Sequence, residues 1–169
     1  MDIGRRPKGT SRVSPVVLAM TAFIAILLQA TLPTALPLAQ LFELPLLVVI
    51  YFSMVKRNQI FGIWFGAGMG LLQDALSHGY IGQMGMAKAI VGYLAATAAL
   101  KLEHDNVVVR AVLIGTLVCV QEGFLYFLTH AMLGLPYTFA PTHVAATILV
   151  NMALGLILFL AFDRFMQPA

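Results

Sequence analysis

Residues 62–94 read GIWFGAGMGLLQDALSHGYIGQMGMAKAIVGYL. Two apolar segments, each about long enough to cross a bilayer, flank a short turn containing glycine. Gly62, Gly66 and Gly70 recur every fourth residue, so a helix carries them as one flat stripe. Such a stripe lets a second helix approach closely, either by packing within the bundle or by docking a partner, and spacing alone does not choose. The same stretch holds one acid, Asp74, and one base, Lys88, inside apolar surroundings. Antiparallel neighbours joined by a short turn bring these two to similar depth. A pair there would offset the at least about 2.5–3.5 kcal/mol that each charge costs in hydrocarbon. Asp74 and Lys88 are therefore expected to form a charge pair on the outer half of the bundle, as a structural clamp or a docking or ion-linked site.

Composition sets the class. The chain has 169 residues, 60% of them hydrophobic and 10% charged, with a mean hydropathy of +0.91. These values place it outside soluble globular proteins and among integral membrane proteins. The net charge of +3 comes from Lys and Arg placed at segment ends and not as a patch, which excludes a nucleic-acid role. The one cysteine, Cys119, sits in an apolar run, so neither a disulfide nor a cysteine metal framework forms within one chain.

Working outward, residues 1–12 form a basic tail and residues 13–163 one transmembrane domain, with 164–169 a second short tail. Helices are expected at about 13–32, 41–55, 60–76, 84–100, 107–129 and 143–162. The ALPLAQ stretch around Ala39 resembles a cleavage site, but the preceding apolar run exceeds a signal-peptide core, so it reads as a retained helix. The second segment is short and begins near Glu43 and Pro45, and charge decides whether it crosses. With six spans and both termini cytoplasmic, Arg5, Arg6, Lys8, Arg12, Lys56, Arg57, Lys101, Arg110 and Arg164 all lie inside, and only Lys88 lies on the outer half. The positive-inside bias favours that arrangement.

Polar residues elsewhere are few. Gln121 and Glu122 in the fifth segment and Asn151 in the sixth share a depth at which they could form a hydrogen-bonded network; proton coupling or substrate binding is the competing reading of Glu122. His78, His130 and His143 map to the outer face and His104 to the inner one, without zinc-ligand spacing. None of Ser11, Ser14, Ser53 or Ser77 lies in GxSxG, and no P-loop, HExxH or dinucleotide fingerprint is present. The residues point to no enzyme, no cofactor and no metal.

Several of these residues together resemble the MreD family of bacterial rod-shape proteins. The matching positions are Pro45-Leu46-Leu47 through Tyr51, then Gly62, Gly66 and Gly70-Leu71-Leu72-Gln73-Asp74-Ala75-Leu76, followed by Gly79, Gly82, Gly85, Lys88 and Gly92-Tyr93-Leu94. The resemblance is best over 45–95 and assigns no role to Glu122 or Asn151. It implies an all-α, six-helix fold similar to the substrate-binding S-components of energy-coupling-factor transporters. It also implies a non-catalytic scaffold in the bacterial inner membrane that binds single-span MreC. Directly or through that contact it would support RodA and its penicillin-binding transpeptidase partner in peptidoglycan synthesis, with MreB filaments coupled indirectly. The alternative from the same architecture is a vitamin-binding transporter subunit. Against it, Ala19, Ala22 and Ala25 do not form an AxxxA docking pattern, and the outer loops are poor in polar residues.

Overall fold

The computed structural model describes residues 14–35, 40–77, 80–102, 106–132, 134 and 140–166. The terminal tails up to residue 13 and from 167, His78, Gly79 and His104 lie outside the described residues. So do the lysines and arginines expected in the N-terminal tail.

Six α-helices make up the fold among the described residues: α1 (Pro15–Ala35), α2 (Leu44–Lys56), α3 (Gln59–Ser77), α4 (Gln83–Lys101), α5 (Val107–Phe127) and α6 (Pro141–Met166). A π-helical turn, Leu128–Met132, extends α5. Local chemistry sets several ends. Pro15 and Pro141 open α1 and α6, where a missing N–H costs nothing and a fixed φ helps. Asn106 caps α5 by accepting the Val108 N–H at 2.8 Å. Arg57, with φ 49°, ends α2 in the left-handed region, and Asn58 then accepts the Phe61 N–H at 3.1 Å to start α3. A helix reversal is thus made with almost no loop.

The core is organised around α2. Every residue from Pro45 to Met54 is buried, and Leu46, Leu47, Val49, Ile50 and Phe52 are completely so. A helix apolar on all sides must be surrounded, and α2 contacts each of the other five helices. Tyr51 packs its ring against Phe52, Phe159 and Phe162 at centroid distances of 5.4, 5.1 and 4.9 Å. α3 and α4 form the most intimate pair, and α5 packs mainly on α6.

Outward-facing surface is apolar to a degree water would not tolerate. Trp64 is 74% exposed, and Phe23, Ile60, Val108, Leu149 and Ile157 are similarly bare. The α1, α5 and α6 helices are long and apolar enough to cross a membrane, and α2 is a shorter apolar helix. The six expected spans, the second of them short, therefore resolve differently by helix. α3 and α4 have the length, with 19 residues each, but their glycines and ionisable residues dilute the apolar signal. α2 begins at Leu44, later than the expected 41, because residues 41–43 are held by side chains from elsewhere.

Candidate functional site

The glycine stripe of α3 meets a second stripe of the same period on α4. A Cβ added at Gly62 would collide with the carbonyl of Gly92, one at Gly66 with the carbonyl of Lys88, and one at Gly70 with the carbonyl of Met84. Gly92 returns the contact, since its own Cβ would strike the Gly62 carbonyl. A Cβ added at Gly85 would come within 3.0 Å of the Leu71 side chain. Backbone lies directly on backbone for two turns, a distance only glycine permits. α4 lies on the stripe, so Gly62, Gly66 and Gly70 serve internal packing, one of the two uses their spacing left open. Gln59, at the start of α3, fastens that end of the seam by donating to Thr97 Oγ1 at 2.8 Å.

Asp74 and Lys88 do not pair. Asp74 is 3% exposed and its carboxylate accepts backbone N–H groups from Gly82 at 2.8 Å, Met84 at 3.1 Å and Gly85 at 3.2 Å. These belong to the start of α4, whose N-cap residue Gly82 (φ 97°) has no side chain to cap with. A carboxylate from the preceding helix supplies the missing acceptor and complements the positive end of the helix dipole. Several fixed donors satisfy it, leaving no call for Lys88.

Lys88 turns instead to α2 and α5. It is fully buried, and its Nζ lies 3.1 Å from Glu43 Oε2 and 3.2 Å from Gln121 Oε1. Met84 Sδ stands 3.8 Å away. Glu43, 13% exposed, is the counter-ion that the sequence reading treated only as the edge of a segment.

The expected network of Gln121, Glu122 and Asn151 is also rearranged. Gln121 bonds Lys88, with its own Nε2 unpartnered. Asn151 accepts the Glu43 N–H at 2.9 Å and donates to the carbonyls of Leu41 at 2.7 Å and Thr147 at 2.8 Å. The two residues meet at Glu43, one through Lys88 and one through backbone, and not with each other. Glu122 joins neither; it lines a cavity with Glu43, Gln83 and His143.

Gln29 on α1 was missed by sequence reasoning. Its amide donates to the Phe42 carbonyl at 2.7 Å and accepts the Leu44 N–H at 3.0 Å. Also missed was a cluster at the other end, where Tyr51 Oη donates to Asp163 at 3.0 Å and Arg110 pairs with the same carboxylate. Of the remaining motif positions, Pro45 sits buried in the first turn of α2, Gln73 is buried with Oε1 unpartnered, and Tyr93 is 40% exposed. No three His, Cys, Asp or Glu side chains gather to hold a metal among the described residues.

The arrangement holds helices together: a carboxylate caps a helix, an ion pair crosses the core, and amides clamp backbone. The family profile described as rod shape-determining protein MreD matches residues 11–169. No curated protein and no solved structure matches the chain. Nearly the whole chain is covered by that one profile, and the protein belongs to the MreD family of rod shape-determining membrane proteins.

Proposed function

We propose that this protein is a non-catalytic scaffold of the rod-shape complex in the bacterial inner membrane. It binds an MreC-type single-span protein and through it supports a RodA-type glycosyltransferase and a penicillin-binding transpeptidase during elongation, with MreB filaments coupled indirectly. The observation that carries the reading is the use of the buried polar groups within the family's matched region. Asp74 caps α4 and Lys88 bridges Glu43 and Gln121, so both charges act within the protein. Helix connections are short, as at Arg57–Asn58, which leaves membrane-facing helix surfaces as the main meeting ground with partners.

A six-span arrangement with both termini inside, similar to an S-component, fits the placement of charge. Lys56 ends α2, Lys101 ends α4, Arg110 opens α5 and Arg164 lies in the last turn of α6. Reporter fusions after Lys56 and after Pro136 test it; the first should report a cytoplasmic and the second a periplasmic position. For the function, depletion in a rod-shaped host should yield round cells, and the protein should co-purify with its MreC-type partner. Rods persisting after full depletion would overturn the scaffold reading.

A further inference from the structure

A cavity of about 330 Å³ lies where the N-terminal ends of α2, α4 and α6 meet the C-terminal end of α5. That volume suits a small molecule. Its lining includes Glu43, Glu122, Gln83, Thr129 and Thr147, with His143 at an exposed rim.

These groups are not equally engaged. The Glu43 charge is matched by Lys88 at 3.1 Å, and Gln83 donates to Thr129 Oγ1 at 2.6 Å. Glu122 has neither a hydrogen bond nor an ion pair among the described residues, and His143 forms none with it. Thr147 is 3% exposed, and its Oγ1 has no partner. Glu122 feels Lys88 and His143 only at a distance, without a direct bond to either. A buried acid and a buried hydroxyl that both lack a bonded partner are unfavourable in a membrane protein; a ligand that engages both relieves them together. With Glu43 matched by Lys88, the Glu122 carboxyl is the group that disfavours an anion, and the polar wall disfavours an apolar guest. The described residues offer no cluster of three metal-ligating side chains.

We propose that this cavity binds a small organic cation bearing N–H donors, an ammonium or guanidinium, with Glu122 as counter-ion and Thr147 Oγ1 as acceptor. A scaffold needs no such ligand, so the assignment goes beyond the structural role and stands or falls separately from it.

The test uses the purified full chain in lipid nanodiscs, with thermal unfolding followed as agmatine is titrated in. Choline, a cation without N–H groups, and neutral 1,4-butanediol serve as comparisons. Agmatine should raise Tm saturably, choline should bind about tenfold or more weakly, and butanediol should have no effect. Glu122→Gln should weaken agmatine binding by about tenfold or more, and Thr147→Val should weaken it several-fold. The absence of a saturable shift with agmatine, or an equal response to butanediol, would mean a cavity filled only by water and would overturn the proposal. So would an unchanged affinity in Glu122→Gln. If that variant fails to accumulate, wild-type affinity in Thr147→Val overturns the assignment by itself.

Discussion

Substituting Gly66 by alanine adds one methyl group at the middle of the α3–α4 seam, where backbone meets backbone. An ideal Cβ there falls 2.6 Å from the Lys88 carbonyl carbon and 3.0 Å from the Ala89 nitrogen, whereas ordinary contact begins at 3.4 Å. Both obstacles are backbone, which has no rotamer to change. The helices must separate by roughly 1 Å, a gap at which the facing atoms forfeit about a quarter to a half of their attraction. Overpacking of this kind costs about 1–3 kcal/mol, and a membrane supplies no hydrophobic force to close the seam again. Gly68, two residues along, has nothing within 4 Å of an added Cβ. Alanine there gains up to about 1 kcal/mol of helix propensity with no steric penalty. Purified variants unfolded thermally in detergent should therefore move apart, Gly66→Ala losing stability and Gly68→Ala holding or gaining it. Equal stability of the two variants would refute backbone contact as the basis of the seam.

Asp74→Ala leaves the Gly82, Met84 and Gly85 N–H groups without their acceptor, and a loss of about 2 kcal/mol or more in detergent unfolding is expected. Lys88→Met strands Glu43 and should cost about 3–5 kcal/mol, whereas Lys88→Met with Glu43→Gln should recover part of that loss. A double-mutant cycle should accordingly give a large coupling between Lys88 and Glu43 and a smaller one between Lys88 and Asp74; the reverse ranking would restore the pairing read from sequence. Asn151→Leu removes the clamp on Leu41 and Glu43, and should raise hydrogen exchange at the Glu43 amide far more than at Gly62.

Helical periodicity made the number and order of helices legible, because long apolar runs separated by breakers leave few alternatives. The stripe at Gly62, Gly66 and Gly70 was legible for the same reason. Its occupant was not, since two of the three facing positions, Met84 and Lys88, contribute carbonyls and carry no residue-type signal. Pairing Asp74 with Lys88 followed from depth and opposite charge, but a carboxylate near a helix start sees several backbone donors before it sees a lysine. Gly82, a cap without a side chain, was the available clue. Glu43 was within reach of the same argument, because the start of α2 and the first turns of α4 lie at one end of an antiparallel bundle. The Tyr51–Asp163–Arg110 cluster had a weaker signal: Arg110 and Asp163 flank apolar runs at the same expected end.

Why this family member buries so much polar chemistry follows from the length of α2. Thirteen residues extend about 20 Å, so in the proposed six-span arrangement α2 alone falls about a third short of a hydrocarbon core of about 30 Å and leaves the rest to irregular chain. Non-helical backbone at membrane depth persists only where protein satisfies its polar groups. Residues 41–44 meet that demand from two sides: Gln29 of α1 bonds Phe42 and Leu44, and Asn151 of α6 bonds Leu41 and Glu43. The Glu43 side chain then draws in Lys88 of α4, and Lys88 draws in Gln121 of α5. Four helices thus converge on one short stretch of chain. The buried lysine is explained without catalysis, as the cation that lets α2 begin inside the bundle.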